Sequence, residues 1–420
     1  MTIAIARGLS PVRTVLDNGA VVIVQERSTA PAVTINVTVL AGSVYEPSGK
    51  QGLAYLVGHV LDRGTHQRSA EVLAEALDDR GVSLRISSSR HATILTCTCL
   101  SEDFDDVLTL VLDAVRRAAF PEAELAKRKA ECLSSIRQDE DNPSVRAVEA
   151  LFEMLYGQTH PYGRRAKGTI ESVEGICRDD LVRFHAERFR PSALSLAIVG
   201  HVAAEHALAR AARELGDWQA DSPGSFTLPP PSASTGRQQH LIRVAGKAQS
   251  ELAYGFTAIR RLDPRYNAYF VLNNILGQFG LGGRLADNIR ERQGMAYYAF
   301  STLDPSVGVG PLIIRAGVDP DHVERTLEAV DYEVKTLGRE GPTEAELAQT
   351  QQFLIGSIPR TLETNAGIAA FLQSEEQFGL GLDYDRRLPD ELRAVTLDQV
   401  AAAASELLDP ERAAVAIAGP

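Results

Sequence analysis

The chain has 420 residues, enough for two domains of about 200 residues each. Hydrophobic residues make up 44% and charged residues 23%, as in an ordinary globular protein, and the net charge of −12 argues against a nucleic-acid partner, which selects basic faces. No apolar run approaches the roughly 20 residues of a membrane span. Met1 to Val15 lacks the apolar core and cleavage site of a signal peptide, and the four cysteines Cys97, Cys99, Cys132 and Cys177 are too few for a disulfide scaffold, so a cytoplasmic chain with reduced thiols is expected.

In chain order, Val21–Val24 and Val33–Val39 are rich in β-branched residues and bounded by turn signals, so they read as strands. Over Gly52–Leu61 the apolar residues Leu53, Leu56, Val57, Val60 and Leu61 recur at helical spacing, which places Tyr55 and His59, four apart, on one face. Ser69 starts a second helix through Asp79, closed by Gly81. Val82–Ser87 and Ala92–Leu100 alternate as a strand pair. Asp105–Ala118 is an amphipathic helix, and Pro121 opens another that runs to about Asp139. Leu194–Gly200 reads as a buried strand. Strands interspersed irregularly with long helices predict an α+β fold.

Residues 219–237 are rich in Pro and Ser and cannot build a core, so they read as a linker. Beyond it the chain repeats itself. Ile176–Gly200 matches Val395–Gly419 at a gapless offset of 219, and Glu122-Ala123-Glu124-Leu125-Ala126 recurs as Glu344-Ala345-Glu346-Leu347-Ala348 at an offset of 222. Two homologous domains in tandem follow, 1–218 and 238–420.

Three blocks resemble the pitrilysin/insulinase family of zinc metallopeptidases, in its branch of two-domain subunits. The first is Ala41–Pro47 followed by Gly52–Thr65. The second is Ile136–Pro143, then Leu155–Gly157, His160–Gly163 and Lys167–Thr169. The third is Gly282–Leu285 with Ile289–Tyr297. The resemblance implies a mainly antiparallel sheet in each domain, covered by helices on one side. It also implies a His-x-x-Glu-His helix whose imidazoles bind zinc and whose carboxylate is the general base. Here those three positions hold Tyr55, Gly58 and His59. The family's third ligand, a Glu, falls on Ser135, and a further family Glu seven residues upstream falls on Arg128. Two ligands and the base are replaced together. One imidazole does not hold a catalytic zinc, so no metal is expected in this chain.

The third block is intact, and the resemblance implies that Arg290 and Tyr297 serve a shared active site. Arg offers a planar fork of donors to a substrate carbonyl or carboxylate, and a Tyr hydroxyl can donate to the developing oxyanion. The chain is thus similar to the zinc-free subunit of a heterodimeric peptidase, whose zinc-bearing homologous partner supplies the metal and which cleaves short or unfolded peptides. The alternative is a catalytically inert scaffold or binding subunit of a larger complex. Each position also has a plain structural reading: His59 as a hydrogen-bonded histidine on an apolar helix, Tyr55 as filler, and Arg290 and Tyr297 as surface charge and packing.

Overall fold

The computed structural model describes residues 8–220, 224, 226–231, 236–278 and 282–420. The chain opens with strands β1 (Val12–Val15), β2 (Val21–Glu26) and β3 (Ala32–Val39), then helices α1 (Leu53–Val60) and α2 (Ala70–Asp78). Strands β4 (Arg85–Ser88) and β5 (Thr93–Leu100) follow, then α3 (Phe104–Arg117), α4 (Glu122–Glu140) and α5 (Pro143–Tyr156). Next come α6 (Ile170–Glu174), α7 (Arg178–Arg188), β6 (Leu194–Gly200) and α8 (Ala204–Leu215). Past the linker lie β7 (Gln238–Arg243), β8 (Ser250–Ile259), α9 (Tyr266–Asn273), β9 (Ala296–Leu303) and β10 (Gly310–Val318). The chain ends with α10 (Val323–Glu340), α11 (Glu344–Thr361), α12 (Asn365–Phe378), α13 (Tyr384–Arg393), α14 (Leu397–Leu407) and β11 (Ala414–Gly419).

Two sheets result, ordered β1-β2-β6-β3-β5-β4 and β7-β11-β8-β10-β9. Among the described residues only β2–β6 and β7–β11 pair in parallel, so both are mainly antiparallel sheets of an α+β fold. From β2 onward the orders match element for element: β2 with β7, β6 with β11, β3 with β8, β5 with β10, β4 with β9. The internal repeat is therefore a repeat of topology. Strand β1, which the sequence did not suggest, pairs with β2 and has no counterpart in the second sheet among the described residues.

The strand expected over Val82–Ser87 begins only at Arg85. Gly81 adopts φ +63, and the N–H of Val82 bonds to Leu77 O at 2.9 Å, so the end of α2 captures Val82 before it can join a sheet.

The compact units do not follow the boundaries 1–218 and 238–420. One unit comprises residues 1–136, 165–227 and 358–386, and the other 137–164, 228–357 and 387–420. Helix α12 therefore belongs with the first sheet and α5 with the second. In the first unit Val22, Val24, Val33, Ile35, Val37 and Val39 pack with Leu56, Val57, Val60 and Val111 on one face. Ile23, Ala197 and Val199, on the other face, pack against Ile368, Ala369 and Leu372 of α12. Gln373 donates from Nε2 to Asn36 O at 2.9 Å and Ser195 O at 3.1 Å, tying α12 to β3 and β6. The expected one-sided helix cover is thus corrected for this sheet: β2 and β6 carry apolar residues on both faces, and each face needs its own cover.

In the second unit α5 lies against β8 and β11. Leu151 approaches Gly255 so closely that a Cβ there would come within 3.0 Å. Tyr156 donates to Val309 O at 2.9 Å, and Tyr162 accepts from the N–H of Gly308 at 3.1 Å. Of the linker, 221–223, 225 and 232–235 lie outside the described residues; its described residues form no helix or strand.

Candidate active site

Helix α1 is fixed at its start by Glu46, buried at 6% exposure, whose carboxylate accepts the N–H groups of Gly52 at 3.1 Å and Ala54 at 2.8 Å. This satisfies two donors that a helix N-terminus leaves unpaired. Gly52 sits at φ +92, and any Cβ there would lie 2.4 Å from Lys167 O; Gly168, at φ +81, would place one 2.2 Å from Gln51 O. The two glycines let the segment carrying Lys167 run directly against the helix start.

Leu53, Leu56, Val57 and Val60 face the core, as their spacing predicts, and Tyr55 and His59 share the opposite side with ring centroids 4.1 Å apart. His59 titrates below its ordinary range. Partial burial is the main cause, and the Arg128 guanidinium from α4 adds to it, while Asp62 and Glu131 pull the other way. Arg128 forms an ion pair with Glu131 at 2.6 Å. Ser135, on the same helix, accepts a hydrogen bond from Lys167 Nζ at 2.9 Å. Tyr55, His59, Arg128 and Ser135 thus all lie in the first unit, on α1 and α4.

Gly58 closes the question of the base. A Cβ at Gly58 would meet Ser88 Oγ at 2.5 Å, and that hydroxyl is bonded to Ala54 O at 3.1 Å. The edge strand β4 therefore packs where a carboxylate side chain would have to start. Ser88, Glu46 and Lys167 were not singled out by the sequence reading. Glu46 and Lys167 nevertheless fall inside the motif blocks, whereas nothing in the sequence couples Ser88 to Gly58.

The chemistry of these residues does not fit zinc. A phenol, a glycine, a serine and one imidazole replace the expected donors, and two cations, Arg128 and Lys167, stand on the α4 side. Among the described residues no group of three or more His, Cys, Asp or Glu could hold a metal ion. Elemental analysis of the purified chain should find no stoichiometric zinc; about one tightly held zinc per chain would refute this reading. The triple substitution Tyr55→His, Gly58→Glu, Ser135→Glu should also fail to bind zinc tightly while Ser88 and Arg128 remain. Trimming Ser88→Gly and replacing Arg128 in that background should improve binding, which the same measurement follows.

Arg290 and Tyr297 lie in the second unit. Arg290 stands on a π-helical segment, Ala286–Arg292, anchored by buried Ile289 and by Asn288, which donates to Glu333 Oε1 at 2.6 Å. The segment ends at Gly294, φ +63, and the N–H of Met295 returns to Ile289 O at 3.0 Å. Strand β9 then begins at Ala296. Tyr297 is thus the second residue of β9, directly after a segment with π-helical winding. The Arg290 side chain is 42% exposed, its Nε 3.4 Å from Glu291 Oε1, and Tyr297 is 80% exposed. Neither is used for packing.

Two family models match successive parts of the chain: "Insulinase (Peptidase family M16)" over residues 21–168 and "Peptidase M16 inactive domain" over 175–354. An uncharacterized zinc protease of Mycobacterium leprae is 29% identical over 99% of this chain and 93% of its own length. The uncharacterized zinc protease YmxG of Bacillus subtilis is 26% identical over 94% and 95%. The crystal structure of a peptidase M16 inactive domain from Pseudomonas fluorescens superposes with a TM-score of 0.92 at 26% identity, covering 98% of both chains. A protease from Helicobacter pylori shares the fold, with a TM-score of 0.91 at 17% identity over 98% of this chain and all of that one. With both halves matched by models of one family, the same fold throughout and a degenerate zinc motif in the first half, this chain belongs to the insulinase family of M16 peptidases, in its zinc-free type.

Proposed function

We propose that this chain is the non-zinc-binding subunit of a heterodimeric zinc metallopeptidase of the cytoplasm, acting on short or unfolded peptides. The observation that carries the proposal is the contrast between the two sets of site residues. Of the zinc positions only His59 keeps its imidazole, with Tyr55, Gly58 and Ser135 at the others, while Tyr297 projects at 80% exposure from a strand start set by Gly294. The Tyr297 hydroxyl is open to a substrate, and Arg290, 42% exposed, stands seven residues before it in the chain. The partner would be a homologous subunit with an intact His-x-x-Glu-His helix. Arg290 would hold a substrate carbonyl or carboxylate, and the Tyr297 hydroxyl would donate to the oxyanion that forms when water attacks the peptide carbonyl.

Co-expression with a zinc-bearing homologue tests this. The two chains should co-elute in size exclusion, and the mixture should cleave a peptide that neither chain cleaves alone. A partner as active alone as in the mixture would favour the inert scaffold instead.

A further inference from the structure

The second unit holds a cavity of about 480 Å³ between α9 and the start of α14, and the internal repeat says what belongs in it. The two copies agree at this place down to single hydrogen bonds. In the first unit Lys129 donates to Glu174 O at 3.0 Å and Ile176 O at 2.7 Å. In the second, Gln351, its counterpart at offset 222, donates to Arg393 O at 3.3 Å and Val395 O at 2.9 Å, the counterparts at offset 219. Asp180 Oδ2 accepts the N–H of Cys177 at 2.9 Å, and Gln399 Oε1 accepts that of Thr396 at 3.0 Å, so both turns carry the same cap.

One contact has no equivalent. In the first unit Lys50 reaches into this turn, donating to Gly175 O at 2.8 Å and Asp180 Oδ2 at 2.6 Å. The counterparts of those acceptors, Ala394 and Gln399, line the cavity of the second unit. Counting from the helix caps Gly52 and Arg265, the position of Lys50 is taken by Asp263, which bonds to Arg265 instead. The side chains at this place are also smaller than in the first repeat: Arg183 and the buried Phe184 of α7 become Ala402 and Ala403 of α14. Arg265, Asn267 and the carboxylates of Glu391 and Glu406 make up the rest of its polar wall, and Glu391 also pairs with Arg387 at 2.5 Å. Arg265 pairs with Glu406 at 2.6 Å, and Asn267 with Glu391 at 3.3 Å.

We propose that this cavity binds a primary ammonium on an alkyl stem, placed where the first repeat places its own Lys50. The ammonium would take the Ala394 carbonyl, Gln399 Oε1 and the carboxylate edge, and the stem would lie on Ala402 and Ala403. A neutral molecule of the same shape would fill the alanine floor without adding a positive charge beside the Glu391 and Glu406 carboxylates, and pentanol has one donor where an ammonium has three. The ligand is a lysine side chain of a peptide or a free alkyl amine; both carry this chemistry. The proposal is independent of the proposed peptidase role.

Titration of the full chain with n-pentylamine, followed by NMR shifts or calorimetry, should saturate, with 1-pentanol at least about tenfold weaker. Ala403→Phe, which restores the bulk of the first repeat, and Asp263→Lys, which supplies an internal ammonium, should each abolish binding with melting temperature retained. Nα-acetyl-lysine N-methylamide binding more tightly than pentylamine would identify a peptide lysine as the ligand, and cadaverine doing so would identify a free diamine. Equal binding of pentanol would overturn the proposal, as would amine binding that survives both substitutions, or no saturable binding at all.

Discussion

Replacing Tyr297 by Phe in the assembled heterodimer should lower kcat by about 10²–10³, roughly 2.7–4 kcal/mol in the barrier, if the hydroxyl donates to the developing oxyanion. The ring stays, and at 80% exposure it contributes little to the core, so stability and heterodimer formation should be unchanged. Arg290→Ala should instead raise KM, because a guanidinium holding the substrate in ground and transition states alike supplies uniform binding. The Glu291 carboxylate, 3.4 Å from Arg290 Nε, keeps the guanidinium oriented but leaves it accessible. The measurement is steady-state kinetics on heterodimer whose composition is checked by size exclusion. A Tyr297→Phe heterodimer that assembles and cleaves at the wild-type rate would remove the hydroxyl from the mechanism.

The second large effect concerns stability. Glu375, on α12, is 2% exposed; burial and then the nearby Asp385 carboxylate push it up to about 7. Asp385 is itself 6% exposed and accepts the N–H of Leu9 at 2.7 Å. Unfolded, a Glu titrates near 4.5. Between these values the folded chain keeps a proton that the unfolded chain has lost, so this group's contribution falls as pH rises from about 4.5 to about 7. The shift corresponds to at most about 3.4 kcal/mol.

His91 and His185 act with the opposite sign. Burial holds both down to about 4, and His185 Nε2 bonds to Val115 O at 2.8 Å. Unfolded they protonate near 6.5, so stability is lost as pH falls from about 6.5 towards 4. Two histidines outweigh one carboxyl, so the melting temperature should rise between pH 4 and 6.5 and level off above. Glu375→Gln should make that rise steeper and raise the melting temperature at pH 8, with little change near pH 4. A variant that melts below the wild type at pH 8 would show that the carboxyl is held by contacts stronger than its burial cost.

Much of the site could be read along the chain because it is carried by local periodicity. The apolar spacing of Leu53, Leu56, Val57 and Val60 fixes which side of α1 is buried, and so brings Tyr55 and His59 together whatever else the fold does. Gly294 likewise marks the end of a helix, because its positive φ costs a glycine little. The repeat at offset 219 gave two copies of one topology, and the two sheet orders match it from β2 onward.

What the sequence by itself determined, then, is the α+β class and the duplication, while the resemblance implied the zinc-site roles of the positions held by Tyr55, Gly58 and Ser135 and the roles of Arg290 and Tyr297. Periodicity says that a face is buried and is silent about what buries it. Only the tertiary structure decided that α5 covers the second sheet and α12 the first, because Leu151 and Leu372 find their strands far from them in sequence. Only it placed the Ser88 hydroxyl where a side chain at Gly58 would begin, and Lys167 on Ser135. It alone also showed that Ala402 and Ala403 line a cavity where the first repeat has Arg183 and Phe184. The physical reason is the same in each case: a small residue's meaning is the space it leaves, and that space is defined by neighbours that only folding brings near.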